Sequence, residues 1–420
     1  MSTRVNDKEK AQMKYERCKQ KRIDKRKEVN ADYDNFDKVF TYDNLLKAAF
    51  LCKRNVNWKA SVQNYMREVH YNVFVAYEEL RTKKFRIKST FEFDTFERGK
   101  KRHIRSVHIR ERVVQRCLCD NCLVPILGRT YIYDNGASMV GKGVHFALNR
   151  VLTHLQRHFR KHGTKGYVLL FDFSDYFGSI RHDVIMDIVR QYVTDKDLLW
   201  IIQIFVDMYG GDVGLGLGSQ TSQVLSLLAA SPIDHLIKDK YGVKGYVRYM
   251  DDGIVFHESK EFLENLLSEI QKKADELGLK LNMKKTRIGR IDNGFTFLKK
   301  KIRIDEKGNI NVRIGRKSIT RMRRKLKKFK VLLDEGKMSF DDIYAAYQAW
   351  RSFSMKCDAY DTVKNMDKLF DELFIIPFLE RRDDDVFQGD SESDCCGCPS
   401  GDNLYQIPET ERHYFEMPVY

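Results

Sequence analysis

Apolar positions recur along this chain with two different periods. Over WKASVQNYMREVHYNVFVAYEELRTKK, residues 58–84, they return at helical spacing, as they do in HDVIMDIVRQYV, residues 182–193, and KEFLENLLSEIQKKADELG, residues 260–278. Residues 317–374 are helical throughout, opening with the very basic SITRMRRKLKKFKVLLDEG. Elsewhere the period is two: FRIKSTFEFDTFER alternates like a hairpin, and RGKKRHIRSVHIRERVVQRCL combines a basic strand pair with the start of a helix. Tyr167 to Phe171 is a near-continuous apolar run ending on Asp172, the pattern of a buried strand that delivers one carboxylate to its C-terminal edge. In YVRYMDDGIVFH, Val247 and Tyr249, then Ile254 and Phe256, alternate on either side of Asp251 and Asp252, and Asp252-Gly253 is a hairpin signal. LKLNMKKTRI reads as strand and turn, and GFTFLKKKIRIDEKGNINVRI as a further strand pair. In GLGLGSQTSQVLSLLAASPIDHLI the glycines give a flexible entry, with Thr221 or Ser222 capping an apolar helix. Mixed helices and antiparallel hairpins make the fold class α+β.

Composition narrows what such a fold serves. A chain of 420 residues with 42% hydrophobic content buries a large core and forms more than one module. The formal net charge is +16, and residues 383–420 carry ten Asp or Glu against one Arg, so the remainder carries about +25. That surplus predicts a polyanionic partner. No stretch is apolar and long enough to span a bilayer, and MSTRVNDKEK lacks the core of a signal peptide, so no membrane partner is expected. Nine cysteines in no secreted-domain framework point to a reduced, cytoplasmic compartment. Cys117, Cys119 and Cys122 lie in an apolar helical pattern with no fourth ligand in view, which favours buried thiols over zinc. The tail from 377 onward, rich in Asp, Ser and Gly, has the composition of a disordered segment.

Asp before Gly serves turns more often than it binds metal, so the hairpin alone decides nothing. Asp172, on a strand that can lie beside it, changes the balance. Carboxylates from neighbouring strand ends suit two Mg²⁺ ions about 4 Å apart, the arrangement for nucleotidyl transfer, and a basic background suits a nucleic-acid substrate.

FDFSDYF, GLGLGSQTSQ, YMDD, LGLKLNMKKT and GFTFL occur in the order and approximate spacing of the palm motifs of reverse transcriptases, and the chain resembles the bacterial members of that family over about residues 40–375. The resemblance implies a right-hand polymerase. Its parts are a basic helical extension (1–35), fingers (36–165), a palm of antiparallel sheet backed by helices with part of the fingers inserted (166–310), a helical thumb (311–376) and the acidic tail (377–420). It implies RNA-directed DNA synthesis with two Mg²⁺ ions, Mn²⁺ substituting, on an RNA template with dNTPs and a DNA product; an accessory protein or homo-oligomer is left open. Asp172 and Asp251 would be the main metal ligands, Asp252 an auxiliary carboxylate and Phe173 a backbone ligand. Phe177 matches the ring that excludes a ribose 2′-hydroxyl. Gly218, Ser222 and Gln223 match the motif that approaches the templating pair, with Tyr249 and Met250 beside the template and primer. Lys285, next to Lys284, matches the lysine that meets the leaving pyrophosphate. Arg102 and Arg112 fall where fingers residues meet triphosphate or template.

Two departures matter. Relatives commonly carry Phe-Leu-Gly-Phe where this chain has Phe297-Leu298-Lys299-Lys300, so the primer grip is shaped differently or uses charge on phosphates. LGSQTSQ fits the form found in diversity-generating retroelements and shared by defence-associated lineages, while the absence of a Cys and His array after the helical part argues against a complete group II intron protein; a retron enzyme also fits. The competing expectation is an RNA-binding scaffold of the same fold. Three intact carboxylates weigh against it, since a scaffold gains nothing from negative charge beside bound phosphate.

Overall fold

The computed structural model describes residues 28–88, 90–97 and 100–377, with Met13, Arg17, Gln20, Lys21 and residues 24–26 ahead of them. Most of the basic extension and the tail beyond 377 lie outside the described residues.

The chain divides into two units, one of residues 1–298 with 303–310, the other of residues 299–302 with 311–420. In the first, α1 (Tyr42–Cys52), α2 (Ala60–Arg67) and α3 (Val69–Arg81) precede a hairpin of β1 (Thr90–Glu97) and β2 (Lys100–Val107). The long helical pattern of residues 58–84 breaks at Glu68 (φ −118°, ψ 40°), where Asn72 Nδ2 donates to the Tyr65 carbonyl at 2.9 Å. The two alternating segments, each expected to be a strand pair, are one strand apiece and pair with each other from Thr90↔Val107 to Glu97↔Lys100. α4 (Ile109–Leu118) runs through a π-helical turn at Cys119–Leu123 into Val124–Leu127. Pro125 has no N–H for the i→i−4 ladder, and the register slips just before it. Cys117, Cys119 and Cys122 are fully buried here, and burial pushes each thiol up, as expected of inert structural cysteines.

After α5 (Val144–His162) comes β3 (Tyr167–Asp172), then α6 (His182–Val189), α7 (Lys196–Asp207), α8 (Gln220–Ala229), β4 (Tyr246–Tyr249), β5 (Asp252–His257), α9 (Lys260–Glu276) and β6 (Arg287–Arg290). These strands form one antiparallel sheet in the order β4-β5-β3-β6, so the apolar run of β3 is central. Leu169 and Phe171 on β3 join Ile185, Leu225, Val255, Leu263 and Leu266 in one core. α9 starts where Ser259 Oγ accepts from Phe262 N and ends before Gly278 at φ +73°.

β7 (Phe295–Phe297), β8 (Lys300–Ile304) and β9 (Ile310–Ile314) follow as a three-stranded sheet in that order, one strand more than the expected pair. The described residues of the second unit are otherwise mainly helical: α10 (Arg316–Asp334), α11 (Phe340–Met355) and α12 (Tyr360–Phe370). Met322, Leu326 and Phe329 of α10, four and then three positions apart, make one stripe and pack with Ile343, Tyr347, Met366 and Phe370. The basic residues between them, Arg323, Arg324, Lys325, Lys327 and Lys328, face solvent.

Candidate active site

The sheet register brings the carboxylates together. Asp172, the last residue of β3, pairs with Asp252, the first of β5. Tyr249 pairs with Asp252 across the hairpin, leaving Met250 and Asp251 as a two-residue loop, with Met250 at φ +54°. The turn is therefore two residues earlier than the Asp252-Gly253 signal suggested, and Gly253 lies inside β5. Its role is steric: it pairs with Phe171, and a β-carbon on it would overlap the Phe171 ring.

Asp172 is buried, whereas Asp251 and Asp252 are half-buried. The segment Lys280–Asn282 is laced to the end of β3, with Ser174 N donating to the Lys280 carbonyl and Asn282 N to the Asp172 carbonyl, both at 2.7 Å. A turn follows in which Lys285 N and Thr286 N donate to the Asn282 carbonyl, returning the chain to Asp172. Lys285 Nζ then donates to Asp172 Oδ1 at 2.9 Å and Oδ2 at 2.6 Å, and Asn282 Nδ2 lies 3.5 Å from Oδ1. Of the two adjacent lysines it is Lys285 that reaches the site; Lys284 is exposed. The hydrogen bond to Asp172 raises the Lys285 pKa.

Asp252 is pushed up to about 7, by burial first and then by the charges of Asp251 and Asp172. Three carboxylates thus stand close together with Lys285 bonded to one of them, and hard oxygen donors fit a divalent cation such as Mg²⁺. Among the described residues no three acidic, His or Cys side chains are already gathered as a metal-binding group; Asp172 is held by Lys285 instead.

The residue that fixes the turn was missed from sequence. Arg248, on β4, has no exposed surface, and neither does its partner Asp234. Its Nε donates to Asp234 at 2.8 and 3.0 Å and Nη2 at 2.7 Å; Nη2 also donates to the Leu227 carbonyl at 3.1 Å, and Nη1 to the Met250 carbonyl at 2.9 Å. Tyr246 Oη completes the set by donating to Asp234 at 2.7 Å. A buried ion pair thus holds the carbonyl of the residue before Asp251. The available signal was an arginine within the apolar strand YVRYM and an aspartate within the apolar SPIDHLI.

The other expected residues are distributed unevenly. Phe173 is buried, bridges to Leu281 and stacks on Tyr176 at 5.2 Å between centroids. Phe177 is half-buried beside the glycine loop, its carbonyl accepting from Leu215 N at 2.8 Å. Gly218 needs its freedom at φ +106°, with Ile104 Cγ2 3.2 Å from where a β-carbon would stand. Ser222 is buried and Gln223 half-buried in the first turn of α8, and the cap is Ser219, not Thr221 or Ser222. Tyr249 is half-buried. Arg112 Nη2 donates to Ser106 Oγ at 2.7 Å, which ties α4 to β2. Arg102 stands on β2 opposite Thr95, and its side chain lies outside those described. The Phe297-Leu298-Lys299-Lys300 segment makes a tight turn, with Leu298 and Lys299 both at positive φ. Lys300 is fully buried, so its charge is withheld from any phosphate.

The model of one family, "Reverse transcriptase (RNA-dependent DNA polymerase)", matches residues 94–312, just over half of the chain, and that range contains every candidate residue above. No curated protein sequence matches the chain significantly. Among solved structures, apo telomerase from Candida tropicalis, truncated from its C-terminal domain, is similar with a TM-score of 0.42 and 11% identity over 58% of this chain and 60% of that one. Telomerase from Candida albicans in complex with a fragment of telomeric RNA gives a TM-score of 0.41 and 11% identity over 66% of this chain and 54% of that one. The chain thus spans little more than half the length of either. Mixed helices with antiparallel sheets, the strand-end carboxylates and the matched family model agree: this chain belongs to the reverse transcriptases, the RNA-directed DNA polymerases.

Proposed function

We propose that the chain copies an RNA template into DNA by two-metal nucleotidyl transfer, with residues 36–165 acting as fingers, 166–310 as palm and 311–376 as thumb. The observation that carries this reading is the convergence of Asp172, Asp251 and Asp252, with Lys285 bonded to Asp172. Asp172 and Asp251 supply the main oxygen ligands and Asp252 a third carboxylate. Bound divalent ions would acidify the primer 3′-hydroxyl and neutralise the leaving pyrophosphate. Lys285, half-exposed and charged, is the group at hand to give that pyrophosphate a proton or countercharge. Phe177 sets the sugar preference, and Gly218 lets the backbone before α8 approach the nucleotide closely. Exposed lysines and arginines of α10 grip duplex phosphates.

The biological setting we infer is a bacterial or prophage retroelement, or an antiphage defence system, working in the cytoplasm on a dedicated RNA. The LGSQTSQ motif and the basic surplus support it. Primer extension on a primed RNA with Mg²⁺ tests the chemistry: DNA product from the native protein, lost with Asp251→Asn, is expected, and equal synthesis by that variant refutes the assignment. Sequencing the RNA and DNA that co-purify tests the setting. One recurrent structured RNA with cDNA copied from it is expected, whereas random cellular RNA argues against a dedicated template.

A further inference from the structure

Lys300 and Cys357, 57 residues apart in sequence, meet inside the second unit. Lys300 opens β8, and its side chain is fully buried. Its Nζ lies 2.7 Å from Cys357 Sγ and 3.2 Å from the Phe353 carbonyl, and 3.9 Å above the Phe353 ring. Among the described residues no carboxylate is paired with it, although an ammonium has three donors and is costly to bury. Sulfur is larger than oxygen, so its contacts ordinarily exceed the ~2.9 Å of an N–H···O bond. The observed separation is shorter, and is close to what a single bridging oxygen imposes on nitrogen and sulfur.

The surroundings hold the pair in place. Cys357 sits in the turn between α11 and α12, where its N–H donates to the Ser354 carbonyl at 3.0 Å. Its neighbour Asp358 is bonded twice to β9, N–H to the Val312 carbonyl at 2.9 Å and Oδ2 from Val312 N at 2.6 Å. Cys357 is only half-buried, so a small oxidant reaches its sulfur from solvent. Cys117, Cys119 and Cys122 are fully buried instead, and among the described residues none of them is hydrogen-bonded to a lysine. A thiol that is accessible, beside an amine and fixed by its backbone is the one set up to react.

We propose that Lys300 and Cys357 form a reversible oxygen-bridged crosslink, Nζ–O–Sγ, when the protein meets a hydroperoxide. Hydrogen peroxide first oxidises the thiol to a sulfenic acid: an S–O bond forms, the O–O bond breaks and water leaves. A second equivalent oxidises the amine, and condensation joins nitrogen to the sulfur-bound oxygen with loss of a further water. Sulfur and nitrogen each give up two electrons, the two peroxides accept all four, three waters are released, and the ammonium loses one proton to solvent. Two equivalents of a dithiol return the thiol, the amine and one water. The crosslink removes the buried charge and ties β8 to the α11–α12 turn, constraining the unfolded chain as a disulfide across the same loop does.

Peptide mapping of the full-length protein by mass spectrometry, before and after hydrogen peroxide, tests this directly. The expected result is a joined pair of peptides carrying Lys300 and Cys357, heavier than their sum by one oxygen and lighter by two hydrogens. Dithiothreitol should restore both, and Cys357→Ser or Lys300→Arg should abolish the product. The oxidised native protein should also unfold at a higher temperature than the same sample after dithiothreitol. Oxidation of Cys357 to sulfinic or sulfonic acid with Lys300 left free, or no reaction at either residue, overturns the proposal from the native protein alone, whatever the stability of the variants.

Discussion

Replacing Arg248 by methionine separates what the buried pair does for folding from what it does for the site. The substitution keeps an unbranched apolar stem but removes every donor to Asp234 and to the carbonyls of Leu227 and Met250. Asp234 stays fully buried with Tyr246 Oη as its remaining side-chain donor at 2.7 Å. Removing one partner of such a pair costs about 3–5 kcal/mol. In Arg248→Met combined with Asp234→Leu no buried carboxylate is stranded, so about 2 kcal/mol or more should return. Full recovery is not expected, since the two carbonyls stay unpaired as in the single variant and the Tyr246 hydroxyl newly loses its acceptor, at roughly 1–3 kcal/mol. The Met250 carbonyl is free in both variants, and a misplacement of about 1 Å in Asp251 costs on the order of 10²-fold in rate. Urea denaturation of the three proteins gives the stabilities, and primer extension at a temperature where the double variant is folded gives the activities. Stability should recover in the double variant while polymerisation stays low. A loss under about 1 kcal/mol in the single variant, or near-native synthesis by the double one, refutes the clamp.

Further outcomes follow from the same geometry. Gly253→Ala sets a methyl group into the Phe171 ring, so a loss of about 1–3 kcal/mol is expected by denaturation, with slower synthesis. Phe177→Ala should raise ribonucleotide incorporation relative to deoxyribonucleotide in competition assays; unchanged selectivity means that another residue forms the gate. Lys285→Met leaves Asp172 without its cation, and tighter binding of Mn²⁺ to the nucleic-acid-free protein, measured by calorimetry, is the expected result. Unchanged affinity would mean that the lysine and the metal do not compete for Asp172. Chelation of zinc should leave the unfolding curve unaltered, since Cys117, Cys119 and Cys122 are buried with their thiols pushed up.

Much of this protein was legible from its residue pattern. The period of the apolar positions located α6, α9 and the helices after residue 316, because each needs one apolar stripe to dock on a core. The run ending on Asp172 and the alternation around Asp251 and Asp252 located two strands of the central sheet. The order of the motifs was enough to indicate the family. Each of these signals is local, a repeat within a few turns or a few alternating residues, and local sequence carries it completely.

What only the tertiary structure decided depends on partners distant in the chain. The pairing of Asp172 with Asp252 is set by the register of β3 on β5, in which a slip of one residue reverses every side chain. Gly253 read as a turn residue because its neighbour is Asp252, yet its reason is a phenylalanine ring 82 positions earlier. Arg248 finds Asp234 across 14 residues, Lys285 finds Asp172 across 113, and Lys300 finds Cys357 across 57. A charged side chain reads as surface in a sequence, because burying one without a partner is prohibitively costly. Only the folded chain supplies the partner, and with it the difference between an exposed charge and a buried device.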